Sequence, residues 1–272
     1  MVTVVIPSAG RSAEQRGLIV DLLAQAVQNI AARTTWPHYK ILVVDNGDLK
    51  PETLAAIDRI PHQRVSYRLP PGPFNFSRKL NFAVSHCDTE LFVIYNDDIE
   101  MITPNWIEGL LEFAQDPSIG AVGCKLMFPD GRLQHVGVVT GVNGVAAHLF
   151  HQAPGYSGGW NGGSMMVRNY SVVTGAVMMT TRAAWDRVNG FDEQLRIDFN
   201  DVDYCLKLRQ AGYRIVYTPY IEAFHHESGS FGARQQNPDD IANMQRKWGE
   251  ALTRDPYYNP NLTKDHIDCR PA

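Results

Sequence analysis

The sequence predicts an α/β fold: a mostly parallel, Rossmann-like central sheet with helices on both faces. Two patterns carry that expectation. Over roughly the first hundred residues, short β-branched apolar runs alternate four times with segments at helical spacing, as parallel strands joined by crossover helices do. Three of these runs stop abruptly at polar or acidic residues: Pro7-Ser8, Asp45-Asn46-Gly47 and Asn96-Asp97-Asp98. In an open sheet of this kind ligands bind beyond the carboxyl ends of the strands, so the three stops mark a candidate site.

The first strand covers Thr3 to Ile6 and is halted by Pro7-Ser8-Ala9-Gly10. A helix over Arg16 to Arg33 follows, with Leu18, Leu22, Ala26 and Ile30 along one face. Lys40 to Val44 is a second buried strand, and Pro51 to Ile60 is a helix opened by proline in its first turn. A strand over Arg64 to Leu69 and a Pro-Pro-Gly-Pro turn lead to a helix from about Asn75, with Phe76, Leu80, Ala83 and Val84 at helical spacing. That helix delivers the chain to the strand Leu91 to Tyr95. Next come a helix over Pro104 to Gln115, a strand over Gly120 to Met127, the turn Pro129-Asp130-Gly131 and a strand over Gln134 to Thr140. Residues 141–169 are rich in glycine and polar side chains, and so long an irregular stretch is either a functional lid or a disordered link. The pattern closes with strand Val172 to Thr180, helices Arg182 to Val188 and Asp201 to Gln210, strand Arg214 to Tyr217 and helix Asp239 to Glu250.

Composition narrows the function. The chain has 272 residues, 44% of them apolar, enough for a sizeable core in one α/β domain. A net charge of −4 with both signs interspersed gives no basic field for nucleic acid and no polybasic patch for lipid. Cys87, Cys124, Cys205 and Cys269 lack CxxC or zinc-ligand spacing, which suits reduced structural thiols and a cytoplasmic setting. The opening residues lack the form of a signal peptide, and no window approaches the ~20 apolar residues of a spanning helix. No transmembrane segment is therefore expected, and peripheral association with the inner face of a membrane stays open. The first strand is followed by no GxGxxG, and no P-loop occurs, which argues against a dinucleotide site.

Two acidic clusters carry the chemistry. Asp97 and Asp98 on a short turn suit a divalent cation shared with phosphate, although two aspartates after a strand also form an ordinary turn or cap. In Asn200-Asp201-Val202-Asp203, Asn200 reads as a helix N-cap with the aspartates in the first turn. Asp201 shares a helical stripe with Tyr204, Cys205 and Leu208, so its side chain is expected to face the sheet, where a carboxylate can accept a proton. Asp203 points elsewhere and is expected to form a solvated pair with Lys207.

From about Thr3 to Phe231 the chain resembles inverting family-2 glycosyltransferases of the GT-A fold, including rhamnosyl- and galactosyl-type members of polysaccharide and O-antigen assembly. Ile41 to Gly47 is similar to that family's second strand, and Tyr95-Asn96-Asp97-Asp98-Ile99 to its DXD-type metal motif. Thr174 to Met179, running on to Gly190-Phe191-Asp192-Glu193, resembles the acceptor-side signature. Asn200 to Asp203 with Arg209 to Tyr213 resembles the ED-type catalytic helix, and Phe224-His225-His226-Glu227-Ser228 the late histidine motif.

The resemblance implies one GT-A domain over 1–272 with a smaller acceptor-side sheet. A nucleotide-sugar half would cover about 1–100, an acceptor and catalytic half about 101–235, and a C-terminal helix and tail about 236–272. It implies transfer from a UDP- or dTDP-sugar to a saccharide or lipid-linked saccharide hydroxyl, with Asp201 as general base. Asp98 and a late histidine, His225 in preference to His226, would hold Mn2+ or Mg2+. Pro7, Ser8, Asp45, Asn96 and Asp97 would contact the donor, joined by Arg78 or Asn81, although Arg78 equally reads as a solvated face. His135, Trp160, Gly175 and Asp203 are the acceptor-side candidates; His135 is otherwise a core histidine, and Trp160 otherwise packs the loop down. Two positions depart from the pattern: Asn96 stands at the first place of the metal motif, and Asn200 where a glutamate usually precedes the base. They keep open a catalytically silent donor-binding module of a larger polysaccharide-assembly system. A sugar-phosphate nucleotidyltransferase would need a basic Gly-rich loop of which Gly10-Arg11-Ser12 is only a fragment.

Overall fold

The structure, a computed structural model, describes residues 1–227 and 236–272. Its elements in chain order begin with β1 (Val2–Pro7), β2 (Ser12–Gln15), β3 (Leu18–Asp21), α1 (Leu22–Arg33), β4 (Tyr39–Asp45), α2 (Pro51–Ile57) and β5 (Gln63–Ser66). They continue with α3 (Phe76–Ser85), β6 (Leu91–Tyr95), β7 (Ile99–Met101), α4 (Trp106–Ala114), β8 (Ile119–Met127), β9 (Leu133–His135), β10 (Val138–Thr140) and β11 (Ala146–His148). The remainder is β12 (Arg168–Asn169), β13 (Val177–Thr181), α5 (Arg182–Arg187), α6 (Asn200–Gln210), β14 (Arg214–His225) and α7 (Pro238–Trp248).

The main sheet has the order β12-β14-β8-β13-β6-β1-β4-β5, with β7 and β9 attached at its margin. Strands β6, β1, β4 and β5 are parallel, as the βα alternation predicts, and β8 and β14 are parallel to each other. Between these blocks β13 runs antiparallel to both β6 and β8. Alternate strand residues feed two cores. Val5, Phe92 and Ile94 pack with Leu80 and Val84 of α3, Trp185 of α5 and Tyr204 of α6. Val4, Ile6, Val93 and Tyr95 pack with α1, Ile57 of α2 and Trp106 of α4. Each such fully buried aliphatic contributes about 1.5–3 kcal/mol by leaving water.

Five local expectations change. The helix over Arg16 to Arg33 begins only at Leu22: Arg16 (φ 53°) and Gly17 (φ 79°) make a tight turn that pairs β2 with β3. Leu18 is consequently exposed, and Asp21 caps α1 by accepting from Ala24 N at 3.0 Å. The strand Gln134 to Thr140 is split at Gly137, whose φ of +115° turns the chain out of the main sheet. A side chain there would also meet the Tyr170 ring at 2.3 Å. The expected strand from Val172 starts at Val177, leaving 172–176 as a loop, and the strand at Arg214 runs on to His225. Residues 141–169 are neither featureless nor all loop: β11 pairs with β10 to form a small sheet, and Trp160–Gly162 is a single 3-10 turn. All four cysteines are buried free thiols.

That small sheet is tied to the main one by two imidazoles. Thr174 N donates to His135 Nε2 at 3.4 Å, so His135 carries its proton on Nδ1 and can donate to His148 Nδ1, 3.1 Å away. Burial, helped by neighbouring imidazoles, holds His135 well below the usual range and drives His148 down to about 3. In the unfolded chain both take up protons below about 6.5, while the fold keeps them neutral far lower. Stability is therefore lost as pH falls through 6.5 toward the depressed folded values. Urea unfolding of the H148Q variant between pH 6 and 4 is expected to show a slope shallower by ~1.4 kcal/mol per pH unit than that of the parent chain. Identical slopes would mean that His148 protonates within the fold.

Candidate active site

Three strand ends build one edge. Because β1, β4 and β6 are parallel, Pro7-Ser8, Asp45-Asn46 and Asn96-Asp97-Asp98 leave the sheet together. Strand β13 opposes β6 with Val177 across from Tyr95, and Asn96 N donates to Ala176 O at 2.9 Å. The loop Thr174-Gly175-Ala176 is thereby laid beside the acidic turn. Strand β14 reaches the same place from the other side: it pairs with β7, putting His225 opposite Ile99.

Asp201 joins this edge from α6. Its Oδ2 accepts from Gly175 N at 2.9 Å and its Oδ1 from Val202 N at 2.8 Å. Burial pushes its pKa up, and those two N–H groups and the Thr174 hydroxyl restrain the rise. The inward orientation read from its helical stripe holds. A Cβ at Gly175 would sit 3.4 Å from Asp201 Cβ, an ordinary contact, so what residue 175 supplies here is its N–H. Asn200 is not the N-cap: Phe199 takes that position, and Asn200 donates from Nδ2 to Ile197 O at 3.1 Å while its Oδ1 accepts from Asp201 N.

On the acidic turn the two carboxylates differ. Burial, then the charge of Asp98, drives Asp97 up to about 6, and the Ser8 hydroxyl donates to it at 2.5 Å. Asp98 Oδ1 lies 3.2 Å from His225 Nε2. Burial alone would lower His225, but Asp98, Glu227 and Asp97 outweigh it and raise the pKa. His226 is engaged elsewhere, 3.0 Å from Glu100 Oε2. Bonds of about 2.1 Å meeting at a right angle place two ligand atoms about 3 Å apart, so Asp98 Oδ1 and His225 Nε2 fit a shared divalent cation. Among the described residues no three His, Cys, Asp or Glu side chains gather as a metal cluster. A cation here would therefore take its remaining ligands from a bound ligand and water, as magnesium-type ions commonly do.

Sequence reasoning missed Lys79. It is 2% exposed, and its Nζ donates to Ser8 O and, at 2.8 Å, to Asn46 Oδ1. Burial lowers it to about 8 against the pull of Asp97, Asp45 and Asp48. The signal was present: position 79 lies on the apolar stripe of Phe76, Leu80 and Ala83, where a lysine has no reason to be unless its charge is needed below the strand ends. Its neighbours Arg78 and Asn81 bond instead to the 191–193 segment. Arg78 Nε pairs with Glu193 at 2.9 Å, and Asn81 bonds both the N–H and the C=O of Phe191 at 2.9 Å.

The other candidates divide. Asp45 is fully buried, bonded to Arg64 and to Gly47 N, and these partners outweigh burial to keep its pKa low. His135 sits in the core behind Thr174. Trp160 is 44% exposed, as Met165 and Met166 of the same segment also are exposed, rather than buried to pack the loop down. Asp203 is corrected from a solvated pair to a buried one: 0% exposed at the side chain, it lies 3.6 Å from Lys207 Nζ and 2.7 Å from Lys247 Nζ, and Trp248 Nε1 donates to it at 2.7 Å. It faces the C-terminal helix, away from Asp201. Ser228 of the late motif and Phe231, where the resemblance ends, lie outside the described residues.

Comparison with known proteins gives the family. The sequence model of glycosyl transferase family 2 matches residues 3–161, more than half of the chain. An uncharacterised protein of Sinorhizobium fredii is 37% identical over 278 residues, covering 98% of this chain and 30% of that protein. The O-antigen biosynthesis protein RfbC of Myxococcus xanthus is 36% identical over 257 residues, covering 92% of this chain and 20% of that protein. This chain thus spans under a third of either relative. An N-acetylglucosaminyl-diphospho-decaprenol L-rhamnosyltransferase of Mycobacterium tuberculosis is 25% identical over 217 residues, 71% of this chain and 68% of that one. Among solved structures, a mannosyltransferase of Pyrobaculum calidifontis in complex with GDP-Man and Mn2+ superposes with a TM-score of 0.56 at 17% identity, covering 86% of this chain and 57% of that one. GalNAc-T7 with UDP, GalNAc and Mn2+ superposes with a TM-score of 0.66 at 12% identity, covering 91% and 48%. The chain belongs to glycosyl transferase family 2, and its fold is that of the GT-A glycosyltransferases.

Proposed function

We propose that this domain transfers a sugar from a pyrimidine nucleotide diphosphate, UDP- or dTDP-linked, to a hydroxyl of a saccharide or lipid-linked saccharide, with inversion at the anomeric carbon. The observation that carries the reading is the bond from Gly175 N to Asp201 Oδ2, which holds a carboxylate at the edge where Asp98 and His225 lie 3.2 Å apart. Relatives named for O-antigen biosynthesis and rhamnosyl transfer, and neighbours solved with GDP-Man and Mn2+ and with UDP, GalNAc and Mn2+, support a nucleotide-linked sugar donor and a saccharide acceptor.

In this reading Pro7, Ser8, Asp45, Asn96 and Asp97 line the donor side. Asp98 and His225 hold Mn2+ or Mg2+, which supplies charge neutralisation for the diphosphate leaving group. Lys79 beneath the strand ends offsets part of the repulsion between the carboxylates and the diphosphate, and it keeps the Ser8 carbonyl and Asn46 in place. Asp201 takes the proton of the acceptor hydroxyl as that oxygen attacks the anomeric carbon from the face opposite the leaving group, so configuration inverts in one displacement. Trp160 and the exposed loop around it border the acceptor side. Among the described residues no helix is long and apolar enough to cross a membrane; a lipid-linked acceptor would be met at the inner face by peripheral association.

A general base must be ionised. Since burial raises Asp201, the acid limb of kcat is expected above the ordinary carboxylate value of about 3.9, with activity lost as pH falls through it. The D201N variant is expected to lose 10²–10⁴-fold in kcat while calorimetry still registers manganese-dependent nucleotide binding. Unchanged turnover in D201N would remove Asp201 from the mechanism. In a thermal-shift screen, a UDP- or dTDP-sugar with Mn2+ should stabilise the parent chain, and D98N should abolish that stabilisation. Failure of every pyrimidine nucleotide to stabilise the parent, with or without metal, would sink the donor assignment.

A further inference from the structure

The helix that carries Asp201 begins in an unusual way. Phe199, the residue before it, is left-handed (φ 60°, ψ 11°), and no side chain caps the helix among the described residues. A bulky aromatic in that region is strained and persists only where its surroundings over-determine it. The surroundings here come from α7. Asp240, 0% exposed, accepts the N–H groups of three consecutive residues, Arg196 at 3.1 Å on Oδ1 and Ile197 and Asp198 at 3.1 and 2.9 Å on Oδ2. Asp198 returns the contact through Oδ2, which accepts from Asn237 N at 2.6 Å at the start of the same helix. On the other side Phe76 N donates to Arg196 O at 2.7 Å. Residues 196–198 are thus clamped immediately before the left-handed step, and from that step the first turn of α6 aims Asp201 at Gly175 N.

We infer that Asp240, on the C-terminal helix, is a positioning residue for Asp201: its carboxylate holds the 196–198 backbone so that the strained turn at Phe199 presents Asp201 to the Gly175 N–H. The inference rests on the reading of Asp201 as the base only where turnover is measured. Buried carboxylates that gather consecutive backbone N–H groups make strong charge-assisted bonds. An amide in the same place turns an N–H2 toward donors and leaves at least one backbone N–H unpaired. A displacement of about 1 Å at the base is worth as much as 10²-fold in rate.

Two measurements on the full chain test this. In D240N, kcat for sugar transfer is expected to fall about 10–100-fold, with the manganese-dependent donor Kd changed less than about threefold. The amide proton resonance of Gly175, shifted by its bond to the Asp201 carboxylate, is expected to move back toward an unbonded position. D240E, which retains the charge, should recover part of both. M244A empties a buried apolar site on the same helix; it should lower Tm while leaving kcat and the Gly175 resonance near those of the parent chain. An unmoved Gly175 resonance in D240N, or losses in M244A as large as those in D240N, would overturn the inference. Should D240N not fold, D240E is judged by the same two measurements. A parent chain that turns over no nucleotide sugar would defeat the transferase reading alone, because the Gly175 resonance still reports whether Asp240 aims Asp201.

Discussion

The site depends on a hydrogen bond from a loop amide to a helix carboxylate, Gly175 N to Asp201 Oδ2. Gly175 precedes β13, and β13 is the antiparallel strand wedged between the two parallel blocks of the sheet. That placement brings its amino end to the carboxyl ends of β1, β4 and β6, where an all-parallel sheet would offer no strand start. One inverted strand therefore lets a carboxylate from the second half of the chain, Asp201, meet an acidic turn from the first half. Behind the same loop, His135 and His148 fix the Thr174 peptide, so the amide that meets Asp201 is itself held from the core.

Charge balance is the second constraint. Asp97, Asp98, Asp201 and the diphosphate of the proposed donor are all anionic, and a half-buried edge does not tolerate that without cations. Lys79 is built in below the strands, His225 sits against Asp98, and the fit for a divalent ion lies between His225 and Asp98. Asp97 is raised first by burial and then by the charge of Asp98, against the opposing pull of Ser8 and Lys79. Neither asparagine departure empties the site. Asn96 takes part through its backbone N–H, and Asn200 bonds the Asp201 amide and the Ile197 carbonyl, linking Asp201 to the loop that Asp240 holds.

Much of this was legible in residue order. The strand Leu91–Tyr95 ends where its apolar run ends, because a buried strand stops when carboxylates begin. The inward face of Asp201 follows from helical spacing with Tyr204 and Cys205. The choice between His225 and His226 came only with the family resemblance; in the fold His225 lies against Asp98 and His226 against Glu100. Reading failed where backbone conformation overrides periodicity. Arg16-Gly17 forms a hairpin turn inside an apparently helical stretch, Gly137 breaks a continuous strand pattern, and Phe199 takes a left-handed step that no residue type announces.

Sequence by itself determined the α/β alternation, the polar strand ends, the family motifs and the acidic clusters that supply the metal-ligand and base candidates, because these follow from local spacing and side-chain chemistry. Tertiary structure alone decided which candidates share one edge. Arg78 and Asn81 turn to Glu193 and Phe191, Asp203 is buried against Lys247 and Trp248, and Lys79 reaches the strand ends instead. The partners lie from 44 to 115 residues away in the chain, so strand order and helix docking, rather than any local pattern, determine which polar groups each side chain can reach.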